Sequence, residues 1–199
     1  MATFVLRMAP REPSGGTDCG LSRGKEMLRV PVDRDQRSRT RTISWHDPAI
    51  SAEAARTLSG SDFVGGIMSG EIPAPPTFEL IGFRLIEVEP GEVSGQFEPA
   101  EFHYNPLGGV HGGIVCFVLD SVMGLAVHSQ LPAGRWFATL EMKTQLVRPI
   151  SESTASLFAL GKVVHPGARI ATAESRLVDK SGKLFAHGTA TCMILSKTT

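Results

Sequence analysis

The pattern of hydrophobic and polar positions divides the chain into three parts. Residues 1–43 contain one aromatic residue and no sustained apolar run, and residues 44–76 interrupt short apolar stretches with Gly and Pro. Residues 77–199 are rich in Phe, Leu, Ile and Val. The pattern therefore predicts a disordered or loosely attached leader, a segment of short helices with a Pro-rich connector, and one folded domain.

Two short helices are predicted in the middle part. Asp47–Pro48 favours a helix start, because Asp caps helix N-termini and Pro fits the first turn. We expect this helix to reach Leu58 and to be closed by Gly60, and a second one to cover Phe63–Met68 before Gly70 stops it.

The folded domain reads as two strands, one long apolar helix and four further strands. The first two strands are predicted over Phe78–Val88 and Val93–Phe97, and the helix from Gly113 to about Leu131. The later strands are predicted over Trp136–Val147, Ala155–Val164, Ala168–Val178 and Lys183–Leu195. Turn residues join them into hairpins, which favours an α+β fold with an antiparallel sheet wrapped around one buried helix.

Residues 136–147 alternate in polarity. Even-numbered positions from Ala138 to Leu146 form an apolar face, and Thr139, Glu141 and Lys143 lie on the polar face.

Composition and charge narrow the class of protein. The apolar fraction is 42% and the charged fraction 20%, which is typical of a globular domain with a real core. The net charge is zero, so we do not expect the protein as a whole to bind nucleic acid through electrostatic attraction. The leader holds nine Lys and Arg against five Asp and Glu. A regulator whose basic leader binds nucleic acid is a minor alternative, and the five acids argue against a transit peptide.

Cysteine and histidine usage argues against metal and disulfide chemistry. The three cysteines, Cys19, Cys116 and Cys192, show no CxxC spacing, and the histidines show no HExxH motif, so we expect no metal site. The low, odd cysteine count fits a reducing, cytoplasmic compartment. No run of eighteen apolar residues occurs, so we expect no membrane span.

Asp120 is the residue that fits least well into a pure core helix. It lies between Val118–Leu119 and Val122–Met123, where a carboxylate is costly unless it is paired, hydrogen-bonded or near solvent. A carboxylate in such surroundings suits a general base. The alternative is an Asp on the exposed stripe of the helix.

A glycine-rich loop, residues 108–113, precedes the long helix and includes His111, Gly112 and Gly113. Unpaired N–H groups at a helix start can hold an anion or the oxyanion of acyl transfer. No Lys-Ser/Thr pair follows, which argues against a phosphate loop, and a plain turn is the alternative. Asn105, the one asparagine of the chain, lies upstream and carries an amide that can donate to a carbonyl oxygen, although Asn-Pro is also an ordinary turn.

Helical spacing separates these groups within one chain. His111 and Asp120 are nine residues apart, which on a helix is about 900° of rotation and roughly 13 Å along the axis. If both belong to one site, they meet across a two-fold interface.

The combination of Asn105, His111–Gly112–Gly113 and Asp120, followed by the strand over 138–142, resembles the hotdog-fold acyl-CoA thioesterases of the PaaI-like group. The stretch from Gly182 to Gly188 is also similar, and the resemblance covers about residues 70–196. It implies a long helix wrapped by an antiparallel sheet, pairing of two units into a homodimer or a dimer of dimers, sites at the dimer interface, and no cofactor beyond the coenzyme A of the substrate.

By position, the resemblance implies a role for each matching residue. Asp120 would be the general base or the nucleophile, the two routes remaining open. The Gly112 N–H would polarise the thioester carbonyl, Asn105 would help to hold it, and His111 would support the loop. Thr139 would orient the water, Gly113 would contact the substrate, and Arg169, with Lys143 or Arg148 as alternatives, would meet the coenzyme A phosphates.

Two related functions remain as alternatives. One is a hotdog protein that binds acyl-CoA without turning it over, although such a protein need not keep the carboxylate. The other is a hydratase or dehydratase acting on enoyl-CoA; that chemistry in related folds uses an Asp and a His close together, and no such pair is found in this sequence.

Overall fold

The computed structural model describes residues 38–196. The predicted leader over 1–43, with Cys19, lies outside the described residues except for residues 38–43, which contain no helix or strand. Four α-helices are described: α1 (Pro48–Thr57), α2 (Gly60–Ser69), α3 (Pro76–Ile81) and α4 (Gly112–Ser129). Six strands are described: β1 (Phe83–Glu89), β2 (Glu92–Phe97), β3 (Arg135–Leu146), β4 (Leu157–His165), β5 (Ile170–Val178) and β6 (Leu184–Ser196).

The predicted α+β architecture is confirmed. The six strands form one antiparallel sheet in the order β1-β2-β4-β5-β6-β3, and α4 packs against all six of them as the central helix. Strands β1 and β3 are the two edges, so within the described chain the outer side of each has no neighbouring strand.

The start of α1 follows the prediction, and the boundary between α1 and α2 does not. The Asp47 carboxylate accepts a hydrogen bond from the Ala49 N–H at 2.9 Å, with Pro48 in the first turn. Gly60 does not close α1 but begins α2, after Ser59 caps that helix. A Cβ on Gly60 would fall 1.6 Å from the His128 carbonyl oxygen, so the glycine is needed where α2 meets the end of α4.

The prediction of one strand over Phe78–Val88 is wrong in its first half. Pro76–Ile81 forms α3, with proline at the helix start, and Gly82 ends it at a φ of +67°. The strand begins only at Phe83. The apolar residues of this segment therefore belong first to a short helix and then to a strand. Six residues are too few for the hydrophobic periodicity to distinguish a helix from a strand.

The central helix is seated closely on the sheet. Val118, Leu119, Val122 and Met123 are fully buried. Under them, a Cβ on Gly161 of β4 would fall 2.4 Å from the Val122 carbonyl oxygen. The contact distance between helix and sheet therefore depends on the absence of a side chain at this one position.

The central helix α4 bears on the expectation that no segment spans a membrane. By length and composition α4 is apolar enough to cross a membrane, but 56% of its 18-residue window is buried inside the protein. A helix that is buried in this way under the sheet is a core helix of the folded domain.

A β-bulge changes the facing of β3. Thr139 pairs with Cys192 and Glu141 with Thr191, so Leu140 is the extra residue. The predicted assignment of Thr139 and Glu141 to one face is therefore wrong: Thr139 faces α4 together with Met142, and Glu141 points outward.

His128 lies in the core between α2 and β3. It is 4% exposed, and its ring centroid lies 4.9 Å from that of Phe63 and 5.9 Å from that of Phe137. Desolvation by burial lowers the pKa of His128, and the facing Ala55 carbonyl partly opposes this.

We expect Gly161→Ala to lower the free energy of unfolding by about 1–3 kcal/mol, because the new methyl group forces α4 away from β4. Gly65→Ala is the matched control, since a Cβ at Gly65 in α2 meets nothing within 4 Å. In that helix the exchange should be neutral or stabilising by up to about 1 kcal/mol. Urea unfolding monitored by circular dichroism measures both, and equal effects would contradict the close seating.

We expect His128 to lower the free energy of unfolding as the pH falls below about 6.5. The folded protein holds the ring neutral, whereas the unfolded chain binds the proton with a pKa of about 6.5, so protonation favours unfolding below that pH. The expected slope from this residue is at most about 1.4 kcal/mol per pH unit, between the unfolded value and the lower folded one. Urea titrations at stepped pH should show a shallower slope for His128→Gln, with exposed His46→Gln unchanged from wild type. The same slope in His128→Gln and wild type would show that another group is responsible.

Candidate active site

Asp120 lies on the side of α4 that faces the edge strand β3. Its carboxylate is half-buried, and Oδ1 accepts a hydrogen bond of 3.0 Å from the Thr139 hydroxyl. One turn later on the same side, a Cβ on Gly124 would fall 2.4 Å from the Phe137 ring. Asp120 is thus held against β3 on the side of the sheet that faces the helix. The alternative that Asp120 lies on a solvent-exposed stripe of α4 is therefore wrong.

Cys192 lies under this pair, opposite Thr139 in the ladder between β3 and β6. Burial raises the pKa of the Cys192 thiol; the Thr139 hydroxyl opposes the shift and the Asp120 charge adds to it. The thiol therefore stays protonated near neutral pH and is not a nucleophile. The position of Cys192 beside Asp120 is not visible in the sequence, because it depends on the β3–β6 register.

The start of α4 offers one free backbone donor. His111 is the N-cap residue, and its Nδ1 accepts the Gly113 N–H at 2.9 Å. Gly112, the first helical residue, has an N–H with no acceptor among residues 38–196. This hydrogen bond occupies the Gly113 N–H, so Gly112 rather than Gly113 has the available donor within residues 38–196.

Asn105 organises the loop that leads to α4. Its side-chain oxygen accepts the N–H of Leu107 at 2.8 Å and, more weakly, that of Gly109 at 3.5 Å. Its backbone N–H donates to the Gly109 carbonyl at 2.7 Å. Asn105 can therefore serve both predicted purposes. Its side-chain oxygen stabilises the turn, and its amide NH₂ group has no acceptor among residues 38–196 and can donate to a substrate carbonyl.

The described chain brings the predicted site residues together in two separate groups. Asp120 and Thr139 form one, and His111, Gly112 and Gly113 form the other, about 12 Å away along the axis of α4. Leu146, at the end of β3, lies over the second group: a Cβ on Gly112 would fall 2.8 Å from its Cδ1.

Arg169 is not brought near Gly112 of the same chain. Its carbonyl accepts the Ile194 N–H, and the neighbouring Ala168 carbonyl accepts from Arg135 at the start of β3. Leu146 ends that strand, roughly 36 Å away at 3.3 Å per residue. Arg148 is the basic residue beside the Gly112 end. No group of three or more His, Cys, Asp or Glu that could hold a metal ion occurs within residues 38–196.

Comparison with known families gives one match. The family described as a domain of unknown function, DUF4442, matches residues 71–194, which include both groups of site residues. A search of curated proteins found no match.

Solved structures with the same architecture are numerous. A thioesterase family protein from Silicibacter pomeroyi is 25% identical, with a TM-score of 0.60, and the match covers 69% of this chain and 98% of that one. A phenylacetic acid degradation-related protein from Ralstonia eutropha is 26% identical, with a TM-score of 0.60, and the match covers 65% and 98%.

The PaaI protein from the phenylacetic acid degradation operon of E. coli is 18% identical, with a TM-score of 0.60 and coverage of 71% and 99%. Together with the sheet topology, these similarities identify the fold as the hotdog fold of PaaI-like thioesterases.

Proposed function

We propose that this chain, which belongs to the DUF4442 family, hydrolyses an acyl-CoA thioester to a carboxylic acid and free coenzyme A. The observation that carries the proposal is the hydrogen bond from Thr139 to the half-buried Asp120 carboxylate on the central helix. The thioesterase names of several solved structures with this fold support the reaction class.

The hydrogen bond suits Asp120 to act on a water molecule. Thr139 is the one donor to this carboxylate among residues 38–196, and it engages Oδ1, which leaves Oδ2 to accept a proton. Orientation of one oxygen by a neighbouring hydroxyl fixes where the other points. General-base assistance of this kind typically contributes about 10²–10⁴-fold in rate.

The Gly112 N–H is suited to the thioester carbonyl oxygen. It lies at the positive end of an 18-residue helix and has no acceptor of its own in the described chain. The charge that develops on the carbonyl oxygen during attack is the group such a donor stabilises best. The amide NH₂ group of Asn105, for which no acceptor occurs among residues 38–196, is a second donor in the loop that leads to this end of the helix.

The reaction balances with these groups alone. A water oxygen bonds to the carbonyl carbon while Asp120 takes one of its protons, and the carbonyl electrons move to the oxygen at Gly112. The tetrahedral intermediate then collapses, the C–S bond breaks, and the proton passes to the coenzyme A thiolate. The competing route, in which Asp120 attacks to form an anhydride that water then cleaves, yields the same products.

We propose that one site is assembled from two protomers, because about 12 Å of helix separates Gly112 from Asp120. The outer side of β3 has no partner strand in the described chain, and long exposed edges are ready to pair with another chain. Exposed apolar side chains follow this edge: Leu140 is 54% exposed and Leu146 55%. Pairing across a two-fold axis at β3 would cover them.

Asp120→Asn should lower kcat for acyl-CoA hydrolysis by at least a hundredfold, because the amide cannot take the water proton. Thr139→Val should lower it less, by about tenfold to a hundredfold, and Thr139→Ser should restore it by keeping the hydroxyl. Release of free coenzyme A from short, medium, long and aryl thioesters measures all three.

Equal loss in Thr139→Ser and Thr139→Val would contradict the orienting role. Undiminished turnover in Asp120→Asn would contradict the mechanism. Binding of acyl-CoA without turnover in wild type would favour the non-catalytic binding protein. A single turnover in ¹⁸O-labelled water separates the two routes, because only the anhydride route transfers label into Asp120.

Mixing two inactive variants tests the shared site. Gly112→Pro removes the one free N–H at a helix position where proline is favoured, and the extended backbone of His111 suits a following proline. After refolding an equal mixture with Asp120→Asn, about a quarter of wild-type activity should return, because half of the random dimers carry one intact site.

Each variant refolded alone provides the baseline. The double variant refolded with an equal amount of wild type should keep about a quarter of wild-type activity if the site is shared, and about half if it lies within one chain. Activity that stays at the level of the separate variants, with mixed dimers verified by mass spectrometry, would place the whole site within one chain.

A further inference from the structure

The outer face of the sheet, which points away from α4, carries a cavity of about 320 Å³ over β1, β2, β4 and β5. The strand register fixes which side chains face this outer-face cavity. Gly161 faces α4, so its neighbours Leu160 and Lys162 point outward. Ser94 and Glu92, which lie opposite them on β2, point outward as well. The outer-face cavity therefore lies on the other side of the sheet from the candidate active site.

One row of four side chains crosses the outer-face cavity from β1 to β5. Each residue of the row lies opposite the next in the ladders: Glu87, Ser94, Leu160 and Arg176. Glu87 and Arg176 form no ion pair within residues 38–196. The row therefore has an unpaired carboxylate at one end, an unpaired guanidinium at the other, and a hydroxyl and an apolar side chain between them.

A second row places carboxylates around one lysine. It consists of Glu89, Glu92, Lys162 and Glu174. The Lys162 Nζ lies 2.6 Å from the Glu92 carboxylate, and the pKa of Lys162 is raised by Glu92 and, to a smaller extent, by Glu174. Glu89 lies directly opposite Glu92, and like charges in such a pair destabilise a sheet. Glu87 and Glu89 are thus two carboxylates that a bound cation would neutralise.

Ser94 supplies a buried hydroxyl at the floor of the outer-face cavity. The residue is 8% exposed, and its Oγ has no hydrogen-bond partner within residues 38–196. Ser94 lies directly opposite Glu87 in the ladder between β1 and β2. A buried hydroxyl without a partner is costly in a folded protein. An ammonium group placed between Glu87 and Ser94 would donate to both and would remove this cost.

We propose that the outer-face cavity binds a small zwitterion, an amino acid whose primary ammonium group and carboxylate are separated by a short apolar chain. The ammonium group binds Glu87, Glu89 and Ser94. The carboxylate binds Arg176, and the methylene chain lies on Leu160, which is 44% exposed. The proposal does not depend on the hydrolysis of a thioester.

The size of the outer-face cavity suits such a ligand. The backbones of β1 and β5 lie three strand spacings apart, which is about 14 Å. The side chains of Glu87 and Arg176 take up part of this distance, and 6-aminohexanoate has a suitable length for the remainder. The volume lies near the lower end of the range of about 300–1,000 Å³ that is typical of ligand pockets.

The two charged ends are tested by calorimetric titration of the full chain with 6-aminohexanoate, hexylamine and hexanoate at low ionic strength, where charge attraction is least screened. In wild type, 6-aminohexanoate should bind at least tenfold more tightly than either compound with one charge, because it uses both ends of the row. Glu87→Gln should weaken its binding at least fivefold without weakening that of hexanoate. Arg176→Gln should reduce its affinity to that of hexylamine.

The matched controls are Glu53→Gln and Arg56→Gln, which remove exposed charges on α1, away from the outer-face cavity. Both should keep the wild-type dissociation constants. Circular dichroism verifies the fold of every variant.

Ser94→Ala distinguishes a ligand contact from a structural role. The free energy of unfolding should stay unchanged or rise, because the hydroxyl that is lost has no partner within residues 38–196. Binding of 6-aminohexanoate should nevertheless weaken at least threefold, because the ammonium group loses an acceptor. Urea unfolding measures the first effect and calorimetry the second. Unchanged binding together with lower stability would overturn the assignment of Ser94 to the ligand.

Equal affinities for the three compounds in wild type, or equal values in the cavity variants and the control variants, overturn the inference. Absence of binding also overturns it. If Glu87→Gln or Arg176→Gln then changes the sedimentation coefficient, the outer face is instead an interface between copies of the chain.

Discussion

The close contact between α4 and the sheet is the constraint on which the other features depend. The helix has buried residues on most of its circumference, and it approaches β4 until the Val122 carbonyl lies where a side chain of Gly161 would be. Apolar burial supplies the free energy for this contact, and the missing Cβ sets its distance. Because the helix cannot shift along or away from the sheet without a clash or a void, the groups at its start and middle are held in fixed positions.

Two kinds of chemistry follow from one rigid helix. Its start presents a backbone N–H and the positive end of the helix dipole, and its middle presents a carboxylate fixed by Thr139. In the proposed mechanism the first group would stabilise the negative charge on the thioester oxygen, and the second would accept the proton of the attacking water. A helix that kept them within hydrogen-bond reach of the same atom would need to be bent, whereas two straight helices related by a two-fold axis need no such strain.

The sequence predicts the order of the six strands and the long helix well, because that order depends on local signals, and the residues proposed for the site are found from local signals of the same kind. A carboxylate in an apolar helix and glycines before it are visible without knowledge of the fold. Three features were missed for physical reasons: Pro76–Ile81 is too short for periodicity to separate it from a strand, the bulge at Leu140 is a property of the β3–β6 ladder, and the place of Cys192 beside Asp120 depends on that same register. The cavity lined by Val110, Leu146 and Phe185 is likewise built from segments distant in sequence.

The extra residue in β3 reverses the alternation of side chains along the strand, so the two halves of β3 point different positions toward the helix. Before Leu140, odd-numbered positions such as Phe137 and Thr139 face the helix; after it, even-numbered positions such as Met142 do. A length change of one residue near the bulge would therefore not simply shorten a strand, but would turn one half of it over and exchange core side chains for outward ones. Substitutions along this segment are compatible with the fold at many positions, whereas insertions and deletions are not, so the spacing from Thr139 to Met142 is under tighter constraint than the identity of Leu140 itself.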